Sequence, residues 1–275
     1  MNPVDAEPRA RFRDLFAAEW TKLWSLRSTY GALAGTALVV VGICVNSARS
    51  NVHLIERSGS PEQRLAIDPM HAAFVVDAYQ ILMIIAGVVG AATLYGEYGT
   101  GLARTTFAAV PARRAVVAAK AAVVTVTLLA FGAIVAGFSF GLTQAVYHQQ
   151  HIGLSIGAPG ALRAVAASAL LAPVCGLVGM ALGALVRHTA GSVVAVVGVL
   201  ALLPLLFRGE TYRWVREIGN AMPLSAWQAL VQNPAKPPFV LPRYPVSITE
   251  AWIVLTAWAL VAVAVAVHVV HSRDL

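Results

Sequence analysis

The chain is expected to be an all-α integral membrane protein with six transmembrane helices and an N-terminal amphipathic interfacial helix. Three observations predict this. First, 58% of its 275 residues are hydrophobic and only 12% are charged, with 22 glycines besides; soluble domains carry about 25% charged residues. So few charges cannot cover a water-soluble surface, which excludes a soluble enzyme, a disordered chain and a coiled coil. Second, the apolar residues are gathered into runs of the length a bilayer demands, roughly 20 per helix. Third, the charges lie between those runs.

Residues 1–28 are expected to form a cytoplasmic N-terminus with an amphipathic interfacial helix, and residues 29–275 a six-helix membrane domain. No apolar stretch of signal-peptide type precedes Tyr30, so the first span itself is expected to serve as an uncleaved insertion signal. In RFRDLFAAEWTKLWSLRS, Phe12, Leu15, Phe16, Trp20, Leu23 and Trp24 recur at helical spacing, with Arg13, Asp14, Lys22 and Ser25 on the other side. Trp20 and Trp24 beside Lys22 and Arg27 suit an anchor lying in the interface plane.

The spans are expected at about 29–47, 74–95, 115–141, 161–186, 190–207 and 249–270. Arg187, His188 and Thr189 alone separate the fourth from the fifth; a charge there is acceptable at a tight interfacial turn, so the two form a helical hairpin. Pro173 inside the fourth span should kink it or free a carbonyl. The pairs Gly31 and Gly35, Gly137 and Gly141, and Gly179 and Gly183 have the four-residue spacing that lets helix backbones approach closely. Cys44 and Cys175 both lie in apolar runs and are expected to be buried small residues. The segment from Arg208 to Ser247 should hold short helices near 211–219 and 224–232, then an extended proline-rich connection, with its aromatics resting partly on the outer interface.

With the N-terminus inside, Arg9, Arg11, Arg13, Lys22, Arg27, Arg104, Arg113, Arg114, Lys120, Arg187 and Arg273 fall on the cytoplasmic side, eleven against nine outside; the inside set occupies shorter segments and the first helix usually dominates topology, so both termini are expected to be cytoplasmic. The net charge of +7 fits basic flanks against anionic lipid. No basic stripe carries interleaved aromatics, so nucleic acid is not an expected partner.

Catalytic motifs are missing. No G-x-x-x-x-G-K-S/T loop is present to hold nucleotide phosphates, and no H-E-x-x-H. His148 and His151 in YHQQH have the spacing of three that shares a helix face, but two imidazoles make no metal site; they are expected in a solvated outer loop, and no metal is expected. Asn46, Asp77, Gln144 and His268 lie near span ends, where interfacial solvation accounts for them. Asp77 and Gln80 share a face of the second span and are the candidates for a polar translocation path.

The most specific stretch is LYGEYGTGLARTTFAAVPARRAVVAAK, residues 94–120, between the second and third spans. Glu97 stands at the membrane exit, Gly99 and Gly101 permit a tight turn, and residues 102–109 can form a short helix with Thr100 as its cap. Pro111 stops that helix, and Arg113, Arg114 and Lys120 are expected to return to anionic headgroups. The order Glu97, Thr100, Gly101, Arg104, Thr105, Thr106, Pro111, Arg113, Arg114, Lys120 resembles the loop joining the second and third helices in permease subunits of type 2 ATP-binding-cassette (ABC-2) transporters, particularly the actinobacterial kind. AEWTKLWSLRST at 18–29 is similar to that family's entry helix, and Pro223 and Leu224 in NAMPLSAW to its segment before the last span. Gly99 departs from the pattern, standing where many relatives carry a longer polar residue.

This resemblance implies a transport subunit of the cytoplasmic membrane with no enzymatic activity of its own. It implies a second permease subunit, identical or homologous, and separate P-loop ATPase subunits that bring ATP and magnesium; the chain itself would carry no cofactor. Residues 97–114 would be the element that docks on the ATPase. The apolar spans favour a hydrophobic or amphipathic cargo, drug-like or lipid, over a polar polymer. The alternatives are a secondary transporter, which needs a midplane site, for which Pro173 with Gly176 at a broken helix is the candidate, and a non-transporting scaffold.

Overall fold

In the computed structural model, residues 11–58, 66–100, 113–209, 211–236 and 243–272 are described. They form helices α1 (Phe12–Ser25), α2 (Arg27–Ser58), α3 (Pro69–Ala73), α4 (Val76–Thr100), α5 (Arg113–His148) and α6 (Ala161–Val186). These are followed by α7 (Thr189–Leu206), and by α8 (Arg213–Asn220), α9 (Pro223–Val231) and α10 (Ile248–Ser272). Six helical stretches are long and apolar enough to cross a membrane: Arg27–Arg57, Pro69–Gly96, Arg114–His148, Ala161–Val186, Thr189–Leu206 and Ile248–Ser272. The chain is an all-α protein of multi-pass membrane type, with no strand among the described residues.

The spans alternate in direction. One end of the bundle, the near end, carries α1, the exit of α4, the entry of α5, the α6–α7 turn and the exit of α10. The far end carries the exit of α2, α3, the α5–α6 connection, α8 and α9. The core is built around α6, whose most apolar stretch is 78% buried, against 28% in α2, α7 and α10. Helices α4, α5, α7, α9 and α10 all pack on α6, while α2 packs on α4 and α5.

Missing side chains let α6 take this place. A Cβ on Gly90 of α4 would lie 1.8 Å from the Gly176 carbonyl oxygen, and one on Gly179 1.8 Å from that of Gly87, so α4 and α6 run parallel with their backbones in contact. Gly183 meets Ala91 in the same ribbon. On the other side of α6, Pro173 has no N–H to give the Ala169 carbonyl. That oxygen faces Gly132 of α5, where a Cβ would come within 2.3 Å of it. Of the three expected glycine pairs, Gly179 and Gly183 form a contact; Gly31, Gly35, Gly137 and Gly141 have no atom within 4 Å of a Cβ position and face outward.

The α6–α7 hairpin turns as its sequence suggests. Arg187 adopts a left-handed conformation (φ 55°) and its N–H donates to Gly183 O, while His188 Nδ1 accepts from Gly191 N to open α7. Within α7, Gly198–Leu202 is a π-helical turn in which Leu203 N–H donates to Gly198 O. Pro204 follows one residue later, and the wider turn accommodates a ring that would crowd a regular α-helix.

Two spans are longer than the apolar runs. Helix α2 continues through Arg49 to Ser58, and α5 continues past 141 to His148. At 1.5 Å per residue the 36 residues of α5 extend about 54 Å, well beyond a bilayer core of about 30 Å. The extensions hold each other: Asn51 Nδ2 donates to Tyr147 Oη at 2.8 Å, over a small cluster of Ala48, Val52, Ala72 and Tyr147. Helix α5 ends at His148, and His151 is left-handed (φ 58°), so the two histidines share no helix face.

Candidate functional site

The near end gathers the charged residues that the apolar spans exclude. Arg11 caps helix α1, its N–H donating to Asp14 Oδ2 at 3.3 Å. Its apolar stripe holds Leu15, Phe16 and Leu23 against the core, and Glu19 sits in the middle of that stripe, 7% exposed. Glu19 accepts from Lys22 Nζ at 2.7 Å and from Lys120 Nζ of α5 at 2.5 Å. Lys120 is 2% exposed. The expectation that Lys120 returns to lipid headgroups is therefore corrected. Lys120 lies on the buried stripe of α5, between Val116 and Val124, where an ammonium group requires an anionic partner, and Glu19 is one.

Four aromatic rings extend from α1 into α2: Phe16 to Trp20 at 6.0 Å, Trp20 to Trp24 at 5.9 Å and Trp24 to Tyr30 at 4.9 Å. Trp20 and Tyr30 are exposed and Trp24 is half-buried. Of the expected anchor residues, Lys22 is tied to Glu19 and Arg27 opens α2, exposed. The ladder spans Leu26, the non-helical residue that separates the two helices (φ −84°, ψ 110°).

Helix α4 runs without a break through Gly99 to Thr100, so no turn forms at Gly99; Glu97 lies in the last turn of α4. Gly101, Arg104, Thr105, Thr106 and Pro111, and with them the short helix expected at 102–109, lie outside the described residues. The chain is described again from Arg113, the first residue of α5, and Arg114 is exposed.

Asp77 and Gln80 lie at the far end. Asp77 is exposed in the first turn of α4, where a carboxylate complements the helix dipole. Gln80 is half-buried. Between them in sequence, Tyr79 points into the core and stacks on Trp227 of α9 (4.7 Å, 25°), whose Nε1–H donates to Ser168 Oγ of α6 at 2.9 Å. In the sequence α9 sits in a segment with no apolar run of its own, so nothing there marks this convergence.

Polar clamps cross the far end as well. Asp68 Oδ1 accepts from Met70 N at 3.0 Å and from Asn233 Nδ2 at 2.7 Å, and Lys236 donates to Ile67 O. Arg163 gives Nε to Leu230 O at 2.8 Å and Nη2 to Gln232 O at 2.5 Å. Gln144 is buried and satisfied by protein, donating to Pro69 O at 3.1 Å and accepting from Leu154 N at 2.8 Å. Protein groups therefore account for Gln144, in place of the expected interfacial solvation. On exposed α8, Glu217 at 2.7 Å holds Arg213 above its ordinary pKa. Cys44 and Cys175 are free and buried.

Scans against protein-family models and against curated proteins return no match for this chain.

Proposed function

We propose that this chain is the membrane-spanning subunit of an ATP-driven exporter of the ABC-2 type, working with a separate cytoplasmic P-loop ATPase and a second permease subunit. The observation that carries the proposal is the segment between α4 and α5. Its residues follow the order Glu97, Thr100, Gly101, Arg104, Thr105, Thr106, Pro111, Arg113, Arg114. Both flanking helices are in keeping with this: α4 continues past its apolar run to Thr100, and α5 begins at Arg113, both at the near end of the bundle. The chain has no phosphate-binding loop of its own, so ATP chemistry falls to the partner. In this reading the near end faces the cytoplasm, in keeping with its lysines and arginines. The cargo is hydrophobic or amphipathic, in keeping with the apolar spans.

Purification of the tagged chain from its native membrane in mild detergent, with mass spectrometry of what accompanies it, tests the proposal. A stoichiometric P-loop ATPase is expected, and it is lost from the Arg113→Glu/Arg114→Glu double variant while the chain still inserts. A chain that purifies alone even after crosslinking overturns the reading and favours a secondary transporter or a scaffold.

A further inference from the structure

We propose that α8 is an interfacial helix whose Trp214–Ile218 strip is seated in the far leaflet of the bilayer, with Arg213 and Glu217 turned to the headgroups and water. The proposal rests on the membrane class of the fold and needs nothing of the transport reading. The sequence leads only to the broader expectation that aromatics of the segment from Arg208 to Ser247 rest partly on the outer interface. Trp227 is not one of them, being fully buried in the core. On α8, by contrast, an apolar strip is left open.

The outward surface of α8 is divided lengthwise. Residues four apart share a helix face. Arg213 and Glu217 form one strip, paired at 2.7 Å and open to solvent. Trp214 and Ile218 form the strip beside it, 60% and 38% exposed. Val215, Arg216, Gly219 and Asn220 make up the remaining side, toward the protein, and are half-buried or buried. The exposed surface is thus charged along one side and apolar along the other. Water alone would leave a tryptophan and an isoleucine exposed together, whereas a membrane boundary gives each strip its own solvent.

The place of α8 in the fold says what that apolar solvent is. Gly219 lies against the exit of α7, where a Cβ would come within 2.3 Å of Phe207 O. Asn220 Nδ2 donates to Tyr244 O at 3.1 Å, and Trp258 Nε1–H of α10 donates to Ala221 O at 2.7 Å. Helix α8 is therefore strung from the end of α7 to the flank of α10, two of the least buried spans. Leu202, Leu205 and Leu206 of α7 and Ile253 and Leu260 of α10 are exposed on those spans, where acyl chains surround them. The open strip of α8 lies between two spans that face lipid.

Depth agrees with place. Trp258 stands ten residues into α10, about 15 Å from its far tip. The 25 residues of α10 extend about 37 Å, only about 7 Å more than a bilayer core of about 30 Å. Wherever that excess is placed, Trp258 falls inside the core. Its indole holds the C-terminal end of α8 at or below the outer edge of the core, within reach of acyl chains.

The test uses the full chain in nanodiscs, in a Cys44→Ala/Cys175→Ala background. Ile218→Cys and Trp214→Cys report on the apolar strip, Glu217→Cys and Arg213→Cys on the charged strip, one at a time, each carrying a nitrobenzoxadiazole label. Two quenchers are compared: phospholipid with a nitroxide on its upper acyl chain, and iodide in the water. Nitroxide lipid is expected to quench the apolar-strip labels about twofold or more strongly than the charged-strip labels, and iodide to reverse the order. Two reporters on each strip keep the comparison if one variant does not fold. Equal iodide quenching of both strips overturns the proposal, since α8 then stands in water. So does shielding of the apolar strip from both quenchers, which would mean that protein covers it.

Discussion

At Gly90 and Gly179 the missing Cβ is what permits α4 and α6 to touch, since an added methyl would stand 1.8 Å from a backbone oxygen in either case. Backbone cannot rotate aside as a side chain can, so the helices must part. Gly90→Ala and Gly179→Ala are each expected to cost about 1–3 kcal/mol, the range for an overpacked interior, read as a lower unfolding midpoint in detergent. Gly137→Ala makes the contrast: nothing lies within 4 Å of its Cβ position, so it should hold or raise the midpoint by up to about 1 kcal/mol through helix propensity. An equal loss at all three positions would show that helix-to-helix contact is not what these glycines serve. The four-residue spacing named both kinds of pair alike in the sequence, because spacing identifies a face and not what lies opposite it. Glu19 was legible in principle: it falls on the line Leu15, Glu19, Leu23, and Lys120 falls likewise between Val116 and Val124. Two opposite charges, each inside an apolar stripe, are a signal for one another that neither gives alone.

At the scale of elements, the hairpin helix α6 has the bounds its sequence suggests, because it is delimited locally, by a left-handed Gly160 before it and a left-handed Arg187 after it. Helices α2 and α5 exceed their apolar runs because composition stops at Arg49 and near Gln144, whereas the helices are continued by contacts to each other that only the folded chain supplies. The π-turn of α7 has its sequence cue in Pro204. The short helices α8 and α9 were anticipated, yet not that α9 sends Trp227 into the core to join α4 and α6. That side chain is fully buried, and its Nε1–H is satisfied by Ser168. Trp227→Phe keeps most of the apolar volume but leaves the Ser168 hydroxyl without this donor and weakens the stack on Tyr79. A loss of about 1–3 kcal/mol is expected, with Ser168→Ala in the Trp227→Phe background costing less than Ser168→Ala alone. Additive losses from the two changes, measured by detergent unfolding, would show that the hydrogen bond does not couple α9 to α6.

For the whole molecule, the parity of the spans carries the decisive consequence. Six helices of spanning length alternate in direction, so α1, the exit of α4, the entry of α5, the α6–α7 turn and the exit of α10 share one end of the bundle, and the α5–α6 connection and α8 share the other. The cross-contacts agree at both ends: Glu19 reaches the entry of α5, whereas Asp68 reaches Asn233 and Arg163 reaches Leu230. The weak point is the α6–α7 hairpin, where Thr189–Leu206 has only 18 residues. That is about 27 Å of helix, barely a bilayer core of about 30 Å, and its π-turn lies within that length. If α7 dipped in and returned, every later element would change sides. Single cysteines read by an impermeant thiol reagent in intact cells decide this, introduced into the Cys44→Ala/Cys175→Ala chain at exposed positions: Gly157 and Tyr212 for the far end, Arg114 and His271 for the near end. Gly157 and Tyr212 are expected to label from outside, and Arg114 and His271 only after the membrane is opened. Labelling of Gly157 without Tyr212 would make α7 re-entrant and reduce the crossings to an odd number. Labelling of Arg114 from outside would invert the protein and place residues 101–112 beyond the reach of any cytoplasmic ATPase, so this one measurement bears on the topology and on the proposed function together.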